Sequence, residues 1–428
     1  MSLVKYVESN SKIIEVLKDY IGSSPALDII ECLEGDYTIY HGTYAQTKPF
    51  RFFLHFIKSL FHEALYSLDE NRQHGPTKDI ASIITVDHLY KENLVPLIHQ
   101  LEERKIVNTE IRLEKIKKIS FKKILSSHRN SFSITSFLYK NIKLLSATNL
   151  ISLLYIKYIL FNNTKTLLDF LKKNLNSDYK LFLSAEVCDV FSRAAALTVK
   201  AADKKYILLQ CGPMKNSNYE IKSIICSEFL AWDSSKKYLS DITKAPKNKN
   251  ISIKYFNPPR FLCNVNENEQ IIYDIVIFLT WLDYSSPKKE IDLSLSLIIR
   301  HLIKRNDNDI FLKLHPHTSS EQEKELLSLY SNHKFLQKDL NARDIIARSK
   351  IILNFGSTIC LDADYLSVKT GLIDFENRLS NENEFTALKS VKVINNINDL
   401  DDLIDSFSLI KANNINDLSI VSYIEELL

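Results

Sequence analysis

At 428 residues, 45% hydrophobic and 25% charged, the chain is long enough for two domains that each bury a core, and it is not of disordered or fibrous composition. Its formal net charge of +3 exerts no global pull toward nucleic acid. The six cysteines (Cys32, Cys188, Cys211, Cys226, Cys263 and Cys360) form no CxxC pair and no zinc-spaced cluster, so neither a disulfide frame nor a structural metal is expected, and a reducing cytoplasm fits best.

In chain order, Met1 to Asn10 carries Lys5 and Glu8 and lacks the apolar core of a secretory signal. Residues 1–78 read as a mainly helical lead-in, with apolar helical patterns in Ile13–Tyr20 and Phe50–Leu68. From Asp79 the pattern changes. Ile80–Val86 is a β-rich run, Leu94–Leu101 a helix and Val107–Leu113 a β-like run, together the first βαβ unit of a Rossmann-like domain. Between Ile111 and Lys143 nine Lys/Arg face a single acid, Glu114. This basic, largely helical stretch is a solvated helix face or a surface for anionic lipid headgroups or an acidic glycan; no nucleic-acid recognition motif accompanies it. Leu144–Phe161 is apolar but interrupted by Ser146, Asn149, Ser152 and Lys157, which suits a packed helix better than a membrane span.

Parallel α/β order resumes with a strand at Tyr179–Leu183, a helix at Phe191–Ala202 and a strand at Tyr206–Leu209. Lys244–Asn250 reads as a surface loop, and the Asn257-Pro258-Pro259 turn places a domain boundary near residue 262. Beyond it, strands at Asp274–Thr280, Ile310–Leu314, Lys350–Asn354 and Gly371–Phe375 alternate with helices at Ile291–Lys304, Ser320–Tyr330 and Ala342–Ser349. Such alternation predicts parallel sheets covered on both faces: an N-terminal domain over 79–262, a C-terminal domain over 263–405 and a helical tail over 406–428. Only seven glycines occur, and Gly212, Gly356 and Gly371 stand at or beside strand ends, where close backbone approach or a positive φ is expected.

In parallel sheets ligands sit beyond the carboxyl ends of the strands, so those loops hold the candidate site. His315-Pro316 follows one strand, with an imidazole able to donate to phosphate or ribose oxygens. Gly356-Ser357-Thr358 follows another and precedes a helix, where hydroxyls and unpaired helical N–H groups are expected to receive an anion; Ser357 or Thr358 could equally serve as a helix cap. A general base would come from the facing domain: Glu186 or Asp189 after the strand at Leu181–Leu183, or alternatively Asp87 or His88 after the first strand. Any of these acids could instead cap the next helix.

Lys313-Leu314-His315-Pro316 and Asn354-Phe355-Gly356-Ser357-Thr358, followed by Asp362-Ala363 and Thr370-Gly371-Leu372-Ile373-Asp374-Phe375, resemble the donor-binding domain of bacterial GT-B glycosyltransferases of surface polysaccharides. The likeness is to the sialyltransferase, polysialyltransferase and Kdo-transferase groups, whose His-Pro and Ser-Ser or Ser-Thr motifs bind a CMP-sugar. It extends to Gln210-Cys211-Gly212, where the family usually has Gln-His-Gly, and to Asn257-Pro258-Pro259-Arg260, where Phe256 replaces the usual glycine of a Gly-Asn-Pro-Arg turn. The resemblance implies an α/β fold of GT-B type: two Rossmann-like domains with parallel sheets facing a central cleft, plus additional N-terminal helices. It implies donor-phosphate contacts for His315, Ser357 and Thr358 within a donor loop that includes Lys313, Pro316 and Gly356, and loosely a ribose or sugar contact for Asp362. No cofactor beyond the nucleotide-sugar is implied. The resemblance requires no metal: helix N-termini and cationic side chains would stabilise the departing phosphate. Implied partners are a nucleotide-sugar donor, a glycan or lipid-linked glycan acceptor and an anionic membrane surface, the protein being cytoplasmic or peripheral at the inner face of the membrane. Rival readings are a UDP-sugar 2-epimerase, a polyol-phosphate transferase using CDP-glycerol, and a non-catalytic GT-B-like scaffold. The epimerase normally carries a Glu pair after its Gly-rich loop, which Gly356 to Asp362 lacks.

Overall fold

The computed structural model describes residues 66–72, 79–84, 90–115, 167–173, 175, 178–186, 190–212, 224–236, 239, 251–262, 270–279, 288–305, 309–316, 318, 320–375, 385, 388–405 and 418–428. The helical patterns expected at 13–20 and 144–161, most of that at 50–68, and the basic stretch beyond Lys115 lie outside them.

Strands of three to eight residues, most of them apolar runs bounded by turns, form two sheets. The first contains β1 (Tyr66–Arg72), β2 (Ile80–Ile84), β3 (Asn108–Lys115), β4 (Leu181–Ser184), β5 (Lys205–Leu209), β6 (Glu228–Trp232) and β7 (Ser252–Phe256), in the order β1-β3-β2-β4-β5-β6-β7. Every pairing is parallel except β1 with β3, which is antiparallel. β2, β4 and β5 are buried along nearly their whole length, as strands covered on both faces must be. Between β2 and β3 a π-helical turn (Tyr90–Leu94) leads into α1 (Val95–Glu103), where Pro96 sits in the first turn, a position in which its missing N–H costs nothing. Between β4 and β5 lies α2 (Val190–Ala201).

A 3₁₀ turn (Pro259–Leu262) joins this sheet to the second, formed by β8 (Tyr273–Phe278), β9 (Ile310–Lys313), β10 (Lys334–Leu336), β11 (Ser349–Asn354), β12 (Lys369–Ile373) and β13 (Val391–Ile394) in the all-parallel order β10-β9-β8-β11-β12-β13. Its helices are α3 (Lys288–Arg305), α4 (Ser320–Leu329), α5 (Ala342–Ala347), α6 (Ile359–Tyr365) and α7 (Ile397–Asp405). Finally α8 (Ser419–Glu426) returns to the first sheet. Its Ile420, Val421 and Ile424 are buried in one cluster with Leu94, Leu97 and Leu101, while Tyr423 donates to Glu228 and Arg104 pairs with Glu425.

This is the two-domain α/β architecture that the strand and helix alternation predicts, with three corrections. The end of the lead-in is a strand, β1, and not the end of a helix; its sequence, Tyr-Ser-Leu-Asp-Glu-Asn-Arg, is polar because it is an edge strand. Four strands have no counterpart in the sequence reading: β6, β7, β10 and β13. The helix expected to run to Ser349 stops at Ala347, and Ser349 opens β11.

The glycines separate by role. Gly356 has φ 91°, a conformation that side-chain-bearing residues rarely adopt. Gly371 lies within β12, where a Cβ would come 2.6 Å from Leu353 Cδ2 and 2.9 Å from Leu403 Cδ2, both core atoms. Gly371→Ala is therefore expected to destabilise the second domain by about 1–3 kcal/mol through overpacking, read as a lower urea midpoint. A Cβ on Gly212 would meet nothing within 4 Å.

Candidate functional site

The direction of chain progression reverses once in each sheet. In the second sheet the chain runs outward from β8 to β9 and β10, then returns to β11 on the other side of β8. In the first it runs from β2 to β3, then crosses to β4 on the opposite side. Loops beyond the carboxyl ends of strands at such reversals open a crevice. Glu186 stands two residues past β4, at the first reversal. Gly356-Ser357-Thr358 stands past β11, at the second.

Register fixes the level of the donor loops. Lys313 of β9 and Asn354 of β11 both pair with Phe278 of the central β8. His315 and Gly356, each two residues further on, thus leave the sheet at one height on either side of β8, about 10 Å apart at ordinary strand spacing. That His315 and Ser357, far apart in sequence, follow strands ending at one level is a property of this topology.

Each of these loops is organised by a buried polar side chain at a strand end. Asn354 Oδ1 accepts from the N–H groups of Gly356 (3.1 Å) and Ser357 (3.2 Å) and from the Cys360 thiol (3.3 Å). Gln210, past β5, accepts from Trp232 N (2.8 Å) and donates to Gly212 O and Ser235 Oγ. Ser184, ending β4, receives the N–H of Glu186 at 3.2 Å. The Gly356 loop is corrected accordingly. Two of the N–H groups expected to point outward to an anion are held by Asn354, and the Ile359 N–H approaches Ser357 Oγ at 3.4 Å. An anion here would meet the half-buried side chains of Ser357, Thr358 and His315 rather than a ring of free amides.

Lys313 is likewise inward. Its ammonium, with burial lowering its pKa, donates to Leu314 O (3.2 Å) and Lys338 O (2.7 Å), tying the His315 loop to the β10 side of the sheet. Pro316 is exposed, and His315 O accepts from Thr318 N at 2.9 Å, closing the turn. Cys360 is fully buried, its thiol pushed up to about 12 by burial, and so is inert as a nucleophile. Asp87, His88 and Asp189 lie outside the described residues.

Asp362 is placed differently from expectation. Its side chain, 6% exposed, lies between Arg260 Nη1 (3.5 Å) and Arg343 Nε (3.5 Å), and burial pushes its carboxyl up against the opposing pull of those two guanidiniums. Arg260 comes from the interdomain turn and also approaches Asn93 (3.5 Å) and Glu92 (3.7 Å), with its guanidinium 5.6 Å from the Trp232 ring centre. Arg343 donates to Arg260 O and lies over Phe261, which stacks on Tyr365 at 4.0 Å. Glu92, Asn93, Trp232 and Arg260 follow or end strands of the first sheet at their carboxyl edge, as Arg343 and Asp362 do in the second. This cluster joins loops and helix starts beyond the carboxyl ends of strands in both sheets. Arg260 Nε, Arg343 Nε and Nη2, Trp232 Nε1 and Asp362 Oδ1 are buried without a hydrogen-bond partner among the described residues. The sequence reading named Arg260 only as part of the Asn257-Pro258-Pro259-Arg260 turn, without this role, and did not single out Arg343.

Among the described residues no group of three or more His, Cys, Asp or Glu could hold a metal ion, and no helix is long and apolar enough to cross a membrane. No protein-family model matches the chain, and a search of curated proteins finds no match. Among solved structures it is similar to a UDP-GlcNAc 2-epimerase from Methanocaldococcus jannaschii in complex with UDP-GlcNAc and UDP, at TM-score 0.51 and 14% identity, covering 81% of this chain and 99% of that one. It is also similar to S. aureus MnaA in a co-structure with UDP, at TM-score 0.50 and 12% identity, covering 82% and 98%. The fold is shared. This chain is a two-domain α/β protein of the GT-B type.

Proposed function

We propose that the protein is a nucleotide-sugar-dependent glycosyltransferase of bacterial surface-polysaccharide synthesis. In this reading it moves a sialic acid-like or Kdo-like sugar from a CMP-linked donor to a glycan or lipid-linked acceptor at the inner face of the membrane. The observation that supports it is a topological reversal in each sheet, with Glu186 two residues past β4 at the first and Ser357 and Thr358 past β11, level with His315 past β9, at the second. Glu186 takes the acceptor hydroxyl proton, the hydroxyls and imidazole hold the donor phosphate, and the departing nucleotide takes up the negative charge. The CMP preference rests on the His-Pro and Gly-Ser-Thr resemblance. Nucleotide-sugar use in general also draws support from the UDP and UDP-GlcNAc ligands named for proteins of the same fold.

The test is nucleotide affinity by calorimetry, with CMP, CDP, UDP and GDP as probes. Each hydrogen bond to a charged phosphate is worth about 1.5–3 kcal/mol, so His315→Ala, or Ser357→Ala with Thr358→Ala, should weaken binding at least about tenfold. Unchanged affinity in both, in proteins whose circular dichroism matches the parent, would falsify the donor site.

The second reading, UDP-GlcNAc 2-epimerisation, is favoured by the fold shared with the Methanocaldococcus jannaschii UDP-GlcNAc 2-epimerase. Against it stands the acid that follows the Gly356 loop: Asp362 is engaged by two arginines and has no companion Glu. Incubation with UDP-GlcNAc and no acceptor separates the readings, because only an epimerase forms the 2-epimer.

A further inference from the structure

Three hydroxyls behind Glu186 are buried in the core of the first sheet, where alanine or phenylalanine would pack as well: Ser184 at the end of β4, Ser192 in the first turn of α2 and Tyr206 in β5, each no more than 2% exposed. They are joined. Ser192 Oγ lies 2.7 Å from Glu186 O, 3.0 Å from Ser184 Oγ and 2.8 Å from Tyr206 Oη, and Tyr206 Oη also reaches Ser192 O at 3.1 Å. Ser184 Oγ in turn receives the Glu186 N–H.

The proton directions follow from the inventory of donors. A carbonyl only accepts, so the single Ser192 hydroxyl proton goes to Glu186 O. Ser192 Oγ then accepts from the Ser184 hydroxyl, and Ser184 Oγ, having given its proton to Ser192, accepts from Glu186 N; the single Tyr206 proton goes to Ser192 O, with Ser192 Oγ as its second acceptor. The result is a closed ring, Glu186 N–H to Ser184 to Ser192 to Glu186 C=O, braced from behind by Tyr206. Both backbone polar groups of one residue, the one at the crevice lip, are held by side chains surrounded by Phe182, Phe191 and Ala195. In that apolar setting each bond is stronger than in water and costly to leave unmade. A helix cap alone would need one such hydroxyl, not three.

We infer that Ser184, Ser192 and Tyr206 are positioning residues that fix the backbone of Glu186, and with it the direction of its carboxylate, for proton abstraction from the acceptor. This rests on the reading of Glu186 as the base. The experiment is a double-mutant cycle between Glu186→Gln and Ser192→Ala on the full chain. Turnover is followed as nucleotide release from CMP-N-acetylneuraminic acid, with UDP-N-acetylglucosamine run in parallel. Ser192→Ala alone should lower kcat about tenfold with donor KM within about twofold of the parent, and should add less than about twofold in the Glu186→Gln background, because its effect passes through the missing carboxylate. Tyr206→Phe, which keeps the ring packing, should show the same pattern at about threefold, and Ser192→Thr should restore most of the rate. If Ser192→Ala folds poorly, Tyr206→Phe carries the cycle by itself. Equal losses in both backgrounds, or no loss in either, would overturn the inference while leaving Glu186 in place as the base. Parental turnover in Glu186→Gln, or a parent that consumes neither donor, removes the base reading and the inference with it.

Discussion

Glu186→Gln is expected to lower turnover by about two to four orders of magnitude while leaving donor affinity close to that of the parent. The amide keeps the volume and the backbone ring through Ser184 and Ser192, so the lip of the crevice should be unchanged. What disappears is the capacity to accept a proton from an acceptor hydroxyl. In the proposed reading the donor is held by His315, Ser357 and Thr358 of the second domain, so KM for the donor should hardly move. Steady-state kinetics with calorimetric donor affinity on the same preparation is the measurement. If the amide variant keeps near-normal turnover, the base is to be sought at Asp189, Asp87 or His88, each changed singly in the same assay.

The largest loss of stability should come from Asp362→Ala. The carboxylate stands between two guanidiniums that are themselves largely buried, and its removal leaves Arg260 and Arg343 facing each other with like charge. Breaking a buried pair by deleting one partner costs about 3–5 kcal/mol, far above the 0–1 kcal/mol typical of an exposed pair such as Lys334 with Asp309. The expected observation is a large fall in the urea midpoint for Asp362→Ala and almost none for Asp309→Ala. Since the cluster already contains buried polar atoms without hydrogen bonds, replacing the whole triad of Asp362, Arg343 and Arg260 by apolar residues of similar volume should recover much of the loss. Unfolding of Asp362→Ala at the parental midpoint would show that the arginines do not depend on this carboxylate, and would return Asp362 to consideration as a ligand-facing acid.

The second sheet was legible because its strands at Ile275–Phe278, Ile310–Lys313 and Ile351–Asn354 are continuous apolar runs separated by amphipathic helices. Three of the strands that escaped reading lack that signal. β7, Ser-Ile-Lys-Tyr-Phe, lies at the sheet edge and is only partly buried; β10 is three residues long; β1 is polar. His315 and Ser357 could be picked out because position after a strand is a local property. The role of Asp362 could not. An acid in the first turn of a helix looks the same whether it faces a ribose or an arginine, and the arginines that decide the matter come from elements 102 and 19 positions away in the chain. The loop-organising part of Asn354, Gln210 and Ser184 was hidden for a related reason: the polar residue that ends a strand shows its partners only after the sheet has formed.

The return of α8 to the first sheet bears on how the protein is made. Leu94, in the turn before α1, and Leu97 and Leu101 of α1 share one buried cluster with Ile420, Val421 and Ile424, which leave the ribosome only after the whole second sheet has been synthesised. The first domain cannot close its core in the order in which it is translated. It must wait with that surface open through the synthesis of more than a hundred further residues, at about 5–20 residues per second, a period of several seconds at least. A partly folded nascent chain with an uncovered apolar helix is a natural client for chaperones. Synonymous codon changes that slow translation across the second domain would lengthen that exposure and lower the soluble yield without altering a single residue.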